Sequence, residues 1–209
     1  MKDISVIIGA RAGSKRVKNK NTRLLNDKPL IVYTIEQAIA LNNISNIFVS
    51  SNDPKVKDIC SDFDKVTFIQ RPDEISTHVS RDIEYINHIL ESFSFDIFVK
   101  LNPTSPFREV SFIQRNVEEF LDNDIYDSAR AVQLCKEHPG KMWTVEDDNL
   151  LKPLDLNLKF EYEMHEAQYQ DLPEVYIQTS SLEIADVNKI NKYGNRSGKT
   201  IMPIFCEGV

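Results

Sequence analysis

Short apolar runs alternate with segments of helical period over the first 130 or so residues of the chain. Apolar runs of four to six residues predict strands at 4–8, 46–51, 66–69, 96–101 and 127–132. Between them, apolar side chains recur every three or four residues, which predicts helices at 29–41, 53–63, 80–93 and 110–121. Alternating strands and helices are typical of a three-layer α/β fold with a largely parallel sheet.

The alternation stops after about residue 137. The stretch 147–173 mixes charged, leucine and aromatic residues without a clear period, and predicts an extended arm, a β-hairpin lobe or a long surface loop. Exposed apolar groups on an arm would make it a candidate dimer contact. Trp143 is expected in the core. We find no repeat or flexible linker, so we predict a single domain over 1–209 with an inserted arm at about 150–175.

Charge and cysteine content restrict the classes of partner and compartment. The net charge of −7 and pI of about 5.2 argue against nucleic acid or an anionic membrane as a partner, because both require an extended basic surface. The N-terminal apolar run of about five residues is too short for a signal peptide or membrane span. The cysteines are far apart in sequence, which favours reduced thiols and a cytoplasmic protein.

A basic loop, "GARAGSKRVKNKN" (9–21), follows the first predicted strand and contains no acidic residue. Ligands of α/β sheets bind at the carboxyl ends of strands, where cationic side chains and backbone amides can neutralise a polyphosphate. The spacing excludes a Walker A motif, and only Gly9 and Gly13 of a G-x-G-x-x-G pattern are present. The alternative is a solvated run of charge. The glycine, the preceding strand and the absence of acids favour phosphate binding.

Five motifs in one order resemble those of the acylneuraminate cytidylyltransferases, which make CMP-sialic acid and related CMP-sugars. The basic loop is similar to the family's A-R-x-x-S-K-x-x-x-x-K-N pattern. The other four motifs are "QRPDEIS" (70–76), "LNPTSPFR" (101–108), "HPGKMW" (138–143) and "QDLPEVY" (170–176). Together they span most of the chain, so the resemblance is more specific than any single motif.

The resemblance implies a three-layer Rossmann-like nucleotidyltransferase fold with a protruding dimerisation arm, and hence a homodimer. It implies that the anomeric hydroxyl of a sialic-acid-like nonulosonic acid attacks the α-phosphate of CTP, with Mg²⁺ as cofactor. Such an in-line displacement depends on positioning and charge neutralisation.

The resemblance also implies roles for individual residues. Arg11 and Lys20 would be catalytic, holding the triphosphate and offsetting charge on the departing pyrophosphate. The predicted nucleotide-binding residues are Ser14, Lys15, Asn21, Arg71 and Ser80. The predicted substrate-binding residues, on the sugar side, are Asn102, Thr104, Ser105 and Arg108. No metal-binding carboxylate is identified.

The chain departs from the family pattern at three places. Asn102 stands where the family usually has the longer Gln. No Arg or Lys occurs from 160 to 188, which favours a variant nonulosonic acid or an unrelated acceptor over N-acetylneuraminic acid. The chain ends at "IMPIFCEGV" without the D-x-D that helps to hold Mg²⁺ in the family, so we expect a truncated C-terminus.

Three alternatives stay open at this point. The protein is a cytidylyltransferase for another sugar acid of the 3-deoxy-octulosonate type, a non-catalytic nucleotide-binding homologue, or an interaction domain with a solvated basic loop. A panel of sugar acids would identify the first alternative. Nucleotide binding without pyrophosphate release would identify the second, and the lack of any response to nucleotides would identify the third.

Overall fold

The computed structural model describes residues 2–14, 17–147, 149–156 and 163–206. The described residues form two compact units. The first contains those up to Ala131 together with Ser180–Ile204, and the second contains those of Val132–Thr179 together with Phe205 and Cys206. The strands are β1 (Ile4–Gly9), β2 (Leu24–Leu25), β3 (Lys28–Pro29), β4 (Asn46–Ser51), β5 (Val66–Gln70), β6 (Ile97–Leu101), β7 (Ser128–Leu134), β8 (Trp143–Val145), β9 (Leu151–Pro153), β10 (Tyr176–Asp186) and β11 (Ile201–Phe205). The helices are α1 (Leu30–Ile39), α2 (Pro54–Cys60), α3 (Asp82–Leu90), α4 (Val110–Leu121) and α5 (Val187–Asn191).

A seven-stranded sheet has the order β11-β7-β10-β6-β1-β4-β5. β1 pairs in parallel with both β4 and β6, and β4 pairs in parallel with β5. β10 is antiparallel to β6. The predicted α/β class with a largely parallel sheet is therefore confirmed. Because these parallel strands end at the same edge, the loops after β1, β4, β5 and β6 meet there.

The centre of the sheet is buried on both faces, which explains why its strands are continuous apolar runs. Ile7 of β1, Phe48 of β4 and Phe98 of β6 belong to one core cluster, which α3 covers with Ile86 and Ile89. All five side chains are fully buried. The periodic apolar positions of the sequence thus identify the core.

The predicted helix boundaries hold to within a few residues. Asp53 caps α2 by accepting a hydrogen bond from the Lys55 backbone N–H at 3.0 Å, and Pro54 takes the first helical position. Helix α1 begins one residue after Pro29, which pairs with Leu24 in the short β2–β3 ladder. None of the described helices is long and apolar enough to cross a membrane.

The second unit contains a β-hairpin, in which β8 pairs with β9 in antiparallel register. Trp143 at its start was expected in the core, and this prediction is wrong. The indole is 44% exposed and contacts the ring of His165 at a centroid distance of 4.7 Å. Within the described part of this unit, a three-residue strand on a two-stranded ladder offers too few neighbours to bury a side chain of that size. Residues 157–162 of the predicted arm lie outside the described residues.

Candidate functional site

The basic loop after β1 is fixed to the neighbouring strand end by its backbone. Ala10 N–H donates to the Ser50 carbonyl at 2.9 Å, and Ala12 N–H donates to Asn52 Oδ1 at 2.8 Å. Gly13 has a φ of +70°, a conformation that glycine adopts without strain. The glycine noted in the sequence therefore serves a turn in this loop.

The end of the loop is a short 3₁₀ turn that begins at Lys20. Asn21 is buried there, and its Nδ2 donates to the Arg11 carbonyl at 3.2 Å. This hydrogen bond joins the two ends of the loop, and so fixes the backbone at Arg11 relative to the turn that carries Lys20. Lys15 and Arg16 lie outside the described residues.

A cleft of about 170 Å³ opens at the edge of the sheet where these strands end. It is lined from the basic loop, from the segment after β5 and from the loop after β6. Most of the described residues that the sequence predicted are in its lining: Arg11, Ser14, Lys20, Asn21, Arg71, Ser80, Asn102 and Thr104. Gly9, Arg81, Asp82, Tyr85 and Pro103 line it as well and were not predicted.

Arg71 is a fixed cation in this lining, only 4% exposed. Its Nε donates to Ser50 Oγ at 3.0 Å, and its Nη2 donates to the Ser50 carbonyl at 2.8 Å. The guanidinium stacks on the Tyr85 ring at 4.1 Å. Burial lowers the pKa of Arg71, and Tyr85 and Asp82 partly offset this effect. An arginine keeps its charge at neutral pH despite such a shift.

The Tyr85 ring lies directly against the end of β1. A Cβ built on Gly9 would be 2.8 Å from both Cζ and Oη of Tyr85. A Cβ atom essentially never approaches another heavy atom so closely, so any larger residue at position 9 would force the buried Tyr85 ring or the end of β1 to shift. Tyr85 is 3% exposed, and its Oη has no hydrogen-bond partner within the described part of the chain.

Ser80 closes a small turn before α3. Its Oγ accepts from the Thr77 backbone N–H at 3.0 Å and lies 2.8 Å from Thr77 Oγ1. In the loop after β6, Asn102 Nδ2 donates to the Ser180 carbonyl of β10 at 2.7 Å. The Asn102 amide is thus anchored through its nitrogen, while Thr104 is exposed.

Ser105 and Arg108 are not brought into the cleft lining. Arg108 instead holds the loop after β6 in place: Nη1 donates to the carbonyls of Asn102 at 2.9 Å and Ser181 at 2.6 Å. Nε and Nη2 donate to Gln37 Oε1, and burial lowers the pKa of Arg108 to about 10. A sugar contact by Arg108 or Ser105 stays a prediction. The geometry gives Arg108 a positioning function.

A buried charge cluster, which sequence reasoning missed, adjoins the cleft at Asp82. Lys100 of β6 is paired with Glu183 of β10 at 3.2 Å and with Asp82 at 2.8 Å. Arg130 pairs with Glu183 at 3.0 Å, and Arg196 contacts both carboxylates. Two carboxylates thus share three cations. The available signal was a charged residue within a mostly apolar run, Lys100 in "DIFVKL" and Glu183 in "SSLEIA". Such a residue is expected to need a charged partner, because buried charges are paired.

The ionisation of Asp82 follows from this cluster. Burial alone would raise the pKa of Asp82, but the Lys100 and Arg196 charges and hydrogen bonds outweigh burial and lower it. Around Asp82, the described residues of the lining include four basic side chains: Arg11, Lys20, Arg71 and Arg81. A cleft with this excess of positive charge and N–H donors suits an anion that carries several negative charges, such as a polyphosphate.

A larger, open hollow of about 590 Å³ contains none of the predicted site residues. Exposed side chains line most of it, including Lys18, Arg23 and Lys55. These cations are exposed to solvent, whereas Arg71 is buried and held by Ser50 and Tyr85, so we assign the site to the smaller cleft.

The described residues do not form a resident metal site. No cluster of three or more His, Cys, Asp or Glu side chains with metal-binding geometry occurs among them. Asp82 is the carboxylate in the cleft lining, and its Oδ2 already accepts from two cations. Mg²⁺ prefers carboxylate and water oxygens, so we derive no step through a protein-bound metal.

Curated relatives share sequence over much of the chain. It is similar to an N-acylneuraminate cytidylyltransferase from Escherichia coli O18:K1:H7, with 31% identity over 155 residues, 74% of this chain and 37% of that protein. It is 37% identical over 120 residues to a CMP-N,N'-diacetyllegionaminic acid synthase from Legionella pneumophila, covering 55% of this chain and 52% of the relative. The chain therefore matches about a third to a half of the length of these relatives.

Solved structures share the fold. The match to a CMP:2-keto-3-deoxy-manno-octonic acid synthetase complexed with CTP has a TM-score of 0.68 and covers 99% of this chain and 92% of the other. The sequence identity is 14%, so this likeness concerns the fold alone. It agrees with the Rossmann-like nucleotidyltransferase fold that the motifs predicted. The family model "Cytidylyltransferase" matches residues 5–202, and the chain therefore belongs to the cytidylyltransferase family.

Proposed function

We propose that this protein transfers CMP from CTP to the anomeric hydroxyl of a sialic-acid-like nonulosonic acid. The hydroxyl oxygen forms a bond to the α-phosphorus of CTP while the bond to the α,β-bridging oxygen breaks. Pyrophosphate leaves, the hydroxyl proton goes to solvent, and a CMP-sugar forms. Family membership and the names of the curated relatives support this reaction class.

The observation that carries the proposal is the convergence of three separate motifs on one cleft. The basic loop, the Arg71–Ser80 segment and the Asn102–Thr104 loop are distant in sequence but line the same cavity. Each motif resembles a nucleotide- or sugar-binding segment in sequence. That resemblance does not by itself require the three motifs to line one cavity. An interaction domain with a solvated loop would not require it.

The parts of the cleft suit different parts of the substrates. Arg11 and Lys20 would bind the triphosphate and offset the charge that develops on pyrophosphate. Arg71 would face the nucleoside as a cation fixed by Ser50 and Tyr85. Asn102 would contact the acceptor sugar through its amide oxygen, since its nitrogen is bonded to β10.

We propose Mg²⁺ as a cofactor that arrives with CTP. Mg²⁺ commonly binds through substrate phosphates and several waters, with few protein ligands, which is compatible with the single carboxylate among the described residues of the lining. When bound, the ion would neutralise phosphate charge. The residues of this chain would supply positioning and the remaining positive charge.

We also propose that the protein is a cytoplasmic homodimer that uses its second unit as the contact. The β8–β9 hairpin has one apolar face, formed by Trp143, Val145, Leu151 and Pro153, with Thr144 and Lys152 on the other face. Val145 and Leu151 lie opposite each other and are each 66% exposed. An exposed apolar pair of this kind favours a protein partner, and we propose a second copy. The cytoplasm supplies CTP and reducing conditions.

The test is pyrophosphate release from CTP with a panel of 2-keto-3-deoxy sugar acids, with and without Mg²⁺. We expect release with CTP, little with UTP, ATP or GTP, and a preference for a variant nonulosonic acid over N-acetylneuraminic acid. Release only with 3-deoxy-manno-octulosonate would reassign the sugar. A CTP-dependent rise in melting temperature without release would indicate a non-catalytic homologue. No response to any nucleotide would reject the proposal.

A further inference from the structure

We propose that Asp82 is a specificity-determining residue of the cleft, whose carboxylate accepts a hydrogen bond from a hydroxyl group of a bound sugar. The sugar is either the ribose of the nucleotide or the acceptor sugar acid. The inference deepens the proposed function and rests on it.

The contacts of Asp82 leave one oxygen for a ligand. Oδ2 accepts from Lys100 Nζ at 2.8 Å and from Arg196 Nη1. Oδ1 has no hydrogen-bond partner among the residues that the structure describes, and the side chain is 40% exposed and lines the cleft. Two cations thus fix the orientation of the carboxylate, and Oδ1 is the oxygen left to accept from a ligand.

The cleft otherwise presents mainly donors. Among the residues that the structure describes, its charged side chains besides Asp82 are arginines and a lysine, which match phosphate and carboxylate oxygens. A nucleotide and a sugar acid also carry hydroxyl groups, whose protons need an acceptor. Asp82 supplies an ionised acceptor, and hydrogen bonds to charged groups are the stronger ones.

The position of Asp82 favours a sugar hydroxyl over the nucleobase. Arg71, the proposed nucleoside contact, follows β5, which lies on one side of β1 with β4 between them. Asp82 is tied to Lys100 of β6, the neighbour of β1 on its other side. The proposed triphosphate loop follows β1. Asp82 is therefore tied to the strand whose following loop carries Asn102, while its charge also acts on Arg71. A position near both the proposed acceptor contact and the proposed nucleoside contact suits a hydroxyl group of either sugar.

Two other functions for Asp82 fit the structure less well. A ligand cation would enter a lining that already has four basic side chains, and Oδ2 already accepts from two cations. A general base works best with a pKa near the working pH, whereas Lys100 and Arg196 outweigh burial and lower the pKa of Asp82. A permanently ionised, oriented acceptor is suited to recognition.

The buried charge cluster holds the Asp82 carboxylate in position. Lys100 is paired with Glu183 directly across the β6–β10 ladder, and its ammonium is almost completely buried. A buried ion pair contributes little net stability, because desolvation offsets the attraction. Its effect here is positional: the ammonium reaches both Glu183 and Asp82, and so locates the Asp82 carboxylate.

The experiment measures binding of CTP, 2′-deoxy-CTP, 3′-deoxy-CTP and UTP, and KM for the acceptor sugar, in wild type and Asp82→Asn. Asp62→Asn is the matched control, since Asp62 is exposed and outside the cleft. We expect Asp82→Asn to weaken either CTP binding or the sugar KM about tenfold, the effect of one charged hydrogen bond. If the ribose is the source, wild type should lose a similar factor with one deoxy nucleotide, and the variant should lose nothing further.

A loss confined to the sugar KM would identify the acceptor sugar as the source. Equal losses for CTP and both deoxy nucleotides, together with an unchanged sugar KM, would mean a structural function and overturn the inference. A changed ratio of CTP to UTP binding would assign Asp82 to the base and also overturn it. If Asp82→Asn does not fold, Asp82→Glu keeps the charge but displaces the oxygens, and should show the same selective loss in a protein that still melts cooperatively. A wild-type protein that does not respond to CTP would reject the proposed function and the inference together.

Discussion

Lys20 illustrates how much a single residue depends on its local backbone. It follows Asn19, which adopts a left-handed conformation with a φ of 52°, and it opens the 3₁₀ turn that carries the buried Asn21. Lys18, two residues earlier, lies in the same basic run but outside the cleft lining. The two lysines carry the same charge, so charge alone does not distinguish them. The backbone turn between them places Lys20 in the cleft lining and Lys18 outside it.

Lys20→Ala should weaken CTP binding much more than CMP binding, because the proposed role of Lys20 places its charge at the β- and γ-phosphates. We expect roughly a 10- to 100-fold rise in Kd for CTP, the equivalent of one charged hydrogen bond. Isothermal titration with both nucleotides measures the difference. Lys18→Ala is the matched control and should change neither value by more than about twofold. Equal losses for CTP and CMP would contradict the proposed role.

Asp127 provides a test of pH dependence away from the cleft. Its Oδ2 accepts from the backbone N–H groups of Lys199 at 2.7 Å and Thr200 at 3.1 Å. These bonds, Lys199 first, lower the pKa of Asp127. The unfolded state therefore binds a proton more readily, so this stabilisation is present above the ordinary carboxyl pKa and is lost as the pH falls below it.

We expect Asp127→Asn to lower the melting temperature at pH 7 and to flatten its decline between about pH 5 and pH 3. Melting curves across that range check this. Asp62→Asn should keep the wild-type slope, because this exposed side chain makes no described hydrogen bond. If the slope of Asp127→Asn matched that of wild type, the carboxylate would not be the titrating group.

At the scale of elements, the site depends on the contact between the end of β1 and helix α3. Gly9 ends the strand, and Tyr85 of the helix occupies the space that any larger side chain at position 9 would need. Arg71 stacks on the ring of the same tyrosine. The strand, the helix and the loop after β5 are thus held together by one close packing arrangement.

Gly9→Ala should destabilise the protein by about 1–3 kcal/mol, the usual cost of overpacking, and should also weaken CTP binding by displacing Tyr85 and Arg71. Thermal melting and titration measure the two effects. Adding Tyr85→Phe removes one of the two contacts at 2.8 Å and should recover part of the stability. Unchanged stability of Gly9→Ala would show that the ring moves aside without cost.

At the scale of the whole molecule, assembly is the property that the second unit is proposed to serve. Its hairpin exposes the Val145–Leu151 pair, and Trp143 is exposed next to it. In the other unit, the apolar side chains of the central strands are buried. This contrast supports a partner for the hairpin face, and a second copy is the partner that we propose.

Deleting residues 156–168 should convert the proposed dimer to monomers on a sizing column. Because Lys141 Nζ donates to the His165 carbonyl at 2.9 Å within this unit, the deletion also removes an internal support. Val145→Glu with Leu151→Glu is the milder variant and should give the same result by placing charge on the apolar face. Thr144→Glu on the opposite face is its control. A dimer that persists in both variants would reject the hairpin and arm as the contact.

The sequence by itself determined the alternation of strands and helices, because burial on both faces of a parallel sheet requires continuous apolar runs and helices require a period near 3.6. It also indicated most of the cleft, because the chemistry of phosphate binding concentrates in short motifs such as the basic loop. Strand order depends on contacts between distant parts of the chain, and the Lys100–Glu183 pair joins residues 83 positions apart. No local sequence pattern encodes either of them. The exposure of Trp143 likewise depends on the layers around it.

Only the tertiary structure decided the functions of the charged side chains. Arg71 and Arg108 both occur in recognised motifs, yet one lines the cleft and the other holds a loop. Asp82 belongs to none of the recognised motifs, yet it lines the cleft and pairs with Lys100 and Arg196. The physical reason is that the function of a charge depends on its partners and its burial, and both are set by elements distant in sequence.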